Sequence, residues 1–220
     1  MLTKAQIKRR IKKVIAIFFR IGLKNRNFSI LSNNCWGGVI YDKYALPYSS
    51  PTIGLWIPPN DYIKFLKNID FYKKQKMEQI SYEESHVANL LIKRSRERKY
   101  DFKLEELIIG RLHDIDIIFL HYTNFFIEKA KWEKRIQRIN FNNLLVKMND
   151  QNGCTYEDFN NFLSLDYPNK IFFTSNKTWK NHKDVLYVKK YEKYGYVLSD
   201  IKRGDVSLNI TQLLNSLLIK

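Results

Sequence analysis

The sequence predicts an α/β fold: a mainly parallel sheet with flanking helices, preceded by an N-terminal basic amphipathic helix. Three observations point there. Short apolar runs of strand length recur along the chain, as expected for strands buried on both faces. Helical patterns lie between the later runs, and this alternation favours a parallel sheet. The crossovers take about twenty residues, a length that parallel strands need and tight hairpins do not.

The first element is the segment MLTKAQIKRRIKKVIAIFFRIGLKNR, residues 1–26. It holds nine Lys or Arg and no acid, and so supplies nine of the sixteen net positive charges. Ile7, Ile11, Val14, Ile15 and Phe18 recur at helical spacing, whereas Lys8, Arg9, Lys12 and Lys13 fall mostly off that face. The longest uncharged run, Val14 to Phe19, is too short to span a bilayer. A signal peptide is excluded: the apolar stretch is short, Arg20 breaks it, and no small-residue cleavage site follows. Two readings stand. The helix lies on an anionic membrane, where each Lys or Arg adds about 1 kcal/mol. Alternatively, it packs on the domain with a solvated basic side. The membrane reading implies a cytoplasmic protein, peripheral on the inner face of the cell membrane.

Residues 27–220 read as a single α/β domain with a long insertion at about 33–112. Its strand runs are Phe28 to Leu31, Ile115 to Leu120, Leu144 to Met148, Ile171 to Thr174 and Val185 to Val188. Inside the insertion, Pro58-Pro59-Asn60-Asp61 ends the apolar run Ile53 to Ile57 and starts a helix near Tyr62. A very polar helix follows over Tyr82 to Lys99. Its basic run, KRSRERK, reads as a solvated face. Asn124 to Arg138 is amphipathic. Thr155 and Asp158 sit at capping-box spacing and open a helix to Leu163. A final helix covers Val206 to Leu218, with Asp205 as its N-cap.

Composition narrows the chemistry. At 45% hydrophobic residues the chain can bury a sizeable core. Its two cysteines, Cys35 and Cys154, form neither a disulfide framework nor a zinc pattern, which fits a reducing, intracellular setting. A net charge of +16 calls for an anionic partner. Aromatic residues are spread through the chain and no RRM, KH, zinc-finger or basic-zipper pattern appears, so a nucleic acid polymer is not expected. No metal site and no cofactor are assigned.

Ligands of open parallel sheets bind beyond the carboxyl ends of the strands. The segments leaving the first four runs are Ser32-Asn33-Asn34-Cys35-Trp36-Gly37-Gly38, His121-Tyr122, Asn149-Asp150-Gln151-Asn152-Gly153 and Ser175-Asn176-Lys177. All are polar and three are rich in amides. If they converge, SNNCWGG forms one wall of a polar pocket, with Gly37 and Gly38 letting backbone N–H groups approach a ligand. Asp150 is the leading base, with a turn or cap residue as the alternative. His121 is a general acid or base, or a satisfied histidine under the following helix. Trp36 stacks on a ring or plugs the core. Arg135 and Arg138 share a helix face and either grip phosphates or pair with acids. A thiol nucleophile built from Cys35 and His121 is set aside, because no Cys-His motif is present and buried cysteines are usually inert. Asp114 and Asp116 begin a strand rather than follow one, which disfavours a DxD metal site.

The stretches FSILSNNCWGGVIYDKYALPYSSPTIGLWIPPNDYIKFL, GRLHDIDIIFLHYTNFFIEKAKWEKRIQRINFNNLLVKMNDQNGCT and KIFFTS resemble a bacterial family of unknown function, domain of unknown function 1919. Its members are often labelled exopolysaccharide or capsule biosynthesis proteins. The resemblance covers most of residues 28 to 175. It implies an α/β fold and a setting in surface-polysaccharide assembly, and it transfers no catalytic residue. The family's motifs include Asn33, Asn34, Cys35, Trp36, His121, Trp132, Arg135, Arg138 and Asp150.

These readings converge on a transferase acting on polysaccharide precursors at the membrane, glycosyltransferase-like. A sugar nucleotide or glycan would be held by Asn33, Asn34, Cys35, Trp36, Gly37, Gly38, Arg135, Arg138 and Ser175, with Asp150 or His121 deprotonating the acceptor hydroxyl. The alternatives are a non-catalytic carbohydrate-binding or scaffold protein, and an O-acyltransferase using Cys35 or His121.

Overall fold

A computed structural model describes residues 14–98, 103–201 and 206–217. Four strands form a parallel sheet: β1 (Ser29–Ser32), β6 (Leu144–Asn149), β7 (Lys170–Thr174) and β8 (Val185–Tyr187), in the order β1-β6-β7-β8. Alternate residues face two different cores, as the two-residue period of a strand requires. Leu31, Val146, Met148 and Phe172 enter the larger core with helices α3 (Pro59–Lys67), α6 (Phe125–Ile136) and α7 (Tyr156–Leu163). Ile30, Leu145 and Phe173 enter the second with α2 (Trp36–Lys43) and α8 (Ile210–Ser216). Covered on both faces, the strands need the near-continuous apolar runs that the sequence shows.

One strand belongs elsewhere. The run from Ile115 does not join the parallel sheet. It is β5 (Ile115–Phe119) of a second, antiparallel sheet ordered β2-β5-β4-β3, with β2 (Leu55–Trp56), β3 (Met77–Ile80) and β4 (Ile108–Leu112). Only two residues, His113 and Asp114, connect β4 to β5, and His113 takes φ +60°. A two-residue connection forces antiparallel pairing. The excursion out of the parallel sheet therefore returns at β6. Ile115, Ile117 and Phe119 still reach the larger core, so the two sheets share it.

Element ends follow local hydrogen bonding. α3 begins at Pro59, which suits the first helical position because its missing N–H has no partner to lose, and the short α4 (Ile69–Tyr72) follows it. α7 carries the full capping box between Thr155 and Asp158. α6 is capped by Asn124. The polar helix is α5 (Ala88–Arg98), and it starts later than Tyr82 because residues 82–87 turn to serve a buried acid. Ser85 Oγ and the His86 N–H both donate to Asp116. The last helix is shorter than its apolar pattern. Asn209 rather than Asp205 caps it, its side chain accepting from Gln212 N–H, and Asp205 lies outside the described residues.

Residues 14–21 form helix α1. Ala16 turns inward and is buried, as is Leu23 just beyond the helix, while Val14, Ile15, Ile17, Phe18, Phe19 and Ile21 are exposed. The basic stretch before Val14 lies outside the described residues. Among those described, no helix is long and apolar enough to cross a membrane.

Candidate functional site

The segment leaving β1 is held by its own side chains. Ser32 Oγ donates to the Asn34 carbonyl and accepts from Gly37 N–H. Asn34 Oδ1 accepts from Trp36 N–H. These bonds cap the first turn of α2, whose leading N–H groups have no intrahelical acceptor. Gly37 is the contact point between α2 and β1: a Cβ there would come within 3.1 Å of Ser32 Oγ and 3.2 Å of Ile30 Cγ2. Gly38 similarly faces Ile53 Cγ2 at 3.3 Å. Both glycines thus let a helix lie close on neighbouring chain, and the Gly37 amide is already engaged. Ile57 N–H donates to the Asn33 carbonyl, which pins the antiparallel sheet to this exit.

That junction brings Cys35 to His121. Cys35 is the N-cap residue of α2, and its Sγ lies 3.4 Å from His121 Nε2, two residues past the end of β5. Cys35 is half-buried and His121 is exposed. The pair opens on a cleft of about 250 Å³ lined also by Gly38, Asp42, Tyr48 and Tyr122. Tyr122 is fixed by its hydroxyl, which donates to the Ile53 carbonyl at 2.9 Å. Tyr48 donates to Asp42 at 2.7 Å, and burial together with that carboxylate pushes its phenol up to about 12. Arg135 reaches this rim from α6, its guanidinium 5.0 Å from the Tyr48 ring centroid. Lys131 stands 5.2 Å from the Tyr122 ring. Arg138 is exposed beyond the end of α6 and does not line this cleft.

Beneath the pair runs a buried polar network. Lys147, in the middle of β6, has no exposed surface. Its ammonium donates to the Asp200 carboxylate and, at 3.2 Å, to Asn34 Oδ1. Asn34 Nδ2 and Asn149 Nδ2 also donate to Asp200, at 3.1 and 2.8 Å. Asn33 Nδ2 donates to Asn149 Oδ1 at 3.3 Å, and the buried Asn33 Oδ1 has no partner. Trp36 is buried, edge-on to Phe173, and both rings flank the ammonium. Burial pushes the Lys147 pKa down, against the pull of Asp200, Asp150 and Cys35.

The exits of β6 and β7 form a second cleft of about 370 Å³, one strand away. Asp150 lies at its floor. The carboxylate accepts from Thr174 Oγ1, Ser175 N–H and Val197 N–H at 2.7–2.8 Å. Burial raises its pKa, against those three donors. Ser175 Oγ donates to the Val188 carbonyl. Cys154, at the edge of this cleft, is no twin of Cys35: burial drives its thiol well above the ordinary range, which keeps it protonated.

Asn33, Asn34, Cys35, Trp36, Gly37 and Gly38 therefore cluster with His121, with Arg135 at the rim. Asp150 and Ser175 share the neighbouring exit. Asp114 and Asp116 diverge: Asp114 pairs with Lys64 and Tyr72, Asp116 with Arg111 and Ser85. Among the described residues no group of three or more His, Cys, Asp or Glu is placed to hold a metal ion. Lys147, Asn149 and Asp200 were not read as site residues in sequence. Lys147 did carry a signal, a lone charge inside the apolar run LLVKM. Asp200 carried none, since it lies in a loop far along the chain.

The family described as Domain of unknown function (DUF1919) matches residues 6–211, and the chain belongs to it. An uncharacterized protein of Haemophilus influenzae is 30% identical over 175 residues, covering 80% of this chain and 74% of the relative.

Proposed function

We propose that the protein transfers an acyl group to a sugar hydroxyl in surface-polysaccharide assembly, through a thioester on Cys35. One observation carries this reading: the Cys35 thiol and the His121 imidazole, 3.4 Å apart, face an open cleft at the carboxyl edge of the parallel sheet. That is the nucleophile and base of covalent catalysis within contact range. In the first step His121 Nε2 takes the thiol proton and the thiolate attacks the carbonyl carbon of an acyl thioester. The donor's C–S bond breaks, and its thiolate leaves with the proton from the imidazolium. In the second step a sugar hydroxyl attacks acyl-Cys35 while His121 accepts its proton. The Cys35 C–S bond then breaks and the proton returns to Sγ. The N–H of Gly38, in the first turn of α2 and lining the cleft, is the natural donor to the oxyanion. The polysaccharide setting comes from the labels of the family that the chain resembles.

Glycosyl transfer with Asp150 as base is carried less far. Three of the roughly four acceptor positions of a carboxylate are already taken by Thr174, Ser175 and Val197. Docking on an anionic membrane through residues 1–26 belongs to the same proposal. It is supported by the exposed apolar residues of α1 and by the nine basic residues of that segment. Deleting residues 1–26 should abolish binding to phosphatidylserine vesicles at moderate salt, and unchanged binding would remove this part.

The test of the chemistry is intact-mass spectrometry after incubation with acetyl coenzyme A and longer acyl thioesters. One acyl group should add, peptide mapping should place it on Cys35, and His121→Ala should slow its formation. No adduct with any donor, or an adduct on Cys154, would overturn the reading.

A further inference from the structure

The cleft beyond β6 and β7 contains a polar group that the chain itself does not satisfy. Asn152 and Gly153 both adopt left-handed backbone, φ +59° and +78°. The turn they make leaves Asn152 Nδ2 buried with no hydrogen-bond acceptor. A buried unpaired donor is costly, so it marks a place where an acceptor from outside completes the structure. Opposite stands Trp179. One face of its ring is stacked on Phe159, 4.9 Å away at 16°, and the ring also lines the cleft. Asn176 uses Oδ1 to cap the next turn, accepting from Thr178 N–H, which leaves its Nδ2 as the atom to offer. Tyr196 is exposed and completes the wall.

The charges decide the class of ligand. Among the described residues, Asp150 at the floor and Lys93 at the wall are the charged residues lining the cleft, and they are of opposite sign. A carboxylate floor repels a phosphate. Amide donors beside aromatic faces suit a neutral polyhydroxylated ring, whose hydroxyls accept from Nδ2 and whose apolar face lies on an indole. We infer that this cleft binds a neutral saccharide unit of the glycan acceptor. It deepens the transfer reading above and rests on it for calling that saccharide an acceptor. The site lies at the exits of β6 and β7, and β6 is the strand beside the one that delivers Cys35.

Binding is measured on the full chain without an acyl donor, by ligand-observed NMR and tryptophan fluorescence. The probes are lactose, maltose and N-acetyllactosamine, with UDP-glucose as an anionic comparison. At least one disaccharide should bind saturably. Asn152→Gly tolerates the left-handed backbone and deletes the amide, and should weaken binding at least tenfold. Trp179→Ala should do the same, and Trp179→Phe, which keeps a ring on Phe159, should weaken it less. The inference is overturned if no disaccharide binds, if binding survives both deletions, or if UDP-glucose binds more tightly than every disaccharide. Because the assay needs no donor, its failure leaves the Cys35 adduct standing. Absence of the adduct likewise leaves saccharide binding standing.

Discussion

Replacing Asp200 by alanine should destabilise the fold by about 3–5 kcal/mol, the range for removing one partner of a buried ion pair. The structure says why the value is at the high end for a single substitution. Asp200 is 5% exposed and Lys147 is fully buried. The lost carboxylate accepts from the Lys147 ammonium, from Asn34 Nδ2 and from Asn149 Nδ2, so three donors lose an acceptor together and the ammonium is left with Asn34 Oδ1. The orphaned ammonium has an escape, which is to release its proton. At pH 7 that costs an ordinary lysine about 5 kcal/mol, and this sets the ceiling. At roughly 2–4 °C per kcal/mol for a chain of this size, thermal unfolding followed by circular dichroism should drop by roughly 6–20 °C. Lys147→Met/Asp200→Asn removes the cation, keeps its stem volume and retains one acceptor, so it should recover at least half of the loss. The pH dependence has a definite sign. Burial puts the folded-state pKa of Lys147 below its ordinary 10.5. Between those two values the unfolded chain binds more protons, so wild-type stability rises as pH climbs through that window. Lys147→Met should lack this rise. An Asp200→Ala melting temperature within about 2 °C of wild type, or a double variant no better than the single, would refute the reasoning.

Three further substitutions probe other parts of the structure. Asp150→Asn should lose about 1.5–3 kcal/mol, because an amide presents N–H to one of the donors that now face a carboxylate; an unchanged urea midpoint would show that those bonds hold nothing together. His86 sets Nε2 2.8 Å from Asp61 and Nδ1 3.0 Å from Asp116. Burial holds the Asp61 pKa above its ordinary 3.8, so this group's contribution to stability is present at low pH and is lost as pH rises through the raised value. Asp61→Asn should flatten that fall in a pH series of urea melts, and an unaltered profile would count against it. Gly54→Ala places a Cβ 2.3 Å from Tyr122 Oη at φ +75°. Left-handed strain of about 1–2 kcal/mol and the broken bond to Ile53 together should remove about 2–3 kcal/mol, and a melting temperature equal to wild type would mean that Tyr122 moves aside freely.

The parallel sheet was legible because four of its runs are apolar on both faces, and such runs have few other places to go. The capping box at Thr155 was legible because a helix start needs only residues three apart. The Ile115 run misled because its burial resembles that of the parallel strands. What distinguished it was the two-residue link at His113 and Asp114, with left-handed backbone at a histidine, which a periodicity count does not register. The site divides the same way. SNNCWGG was conspicuous for its amides, yet Asn34 is taken up by Lys147, Asp200 and the Trp36 N–H, and Asn33 by Asn149.

What the order of residues settled was local: charge at the amino end, strand and helix periods, caps, and the polar character of the strand exits. These depend on neighbours a few positions apart, whose geometry the backbone imposes. The pairing of Cys35 with His121, 86 positions apart, and of Lys147 with Asp200, 53 apart, depended on how two sheets share one core. The link from Ile57 N–H to the Asn33 carbonyl seats the antiparallel sheet on the β1 exit and carries His121 to the thiol. Contacts at that separation are set by packing between elements, and packing is a property of the assembled chain.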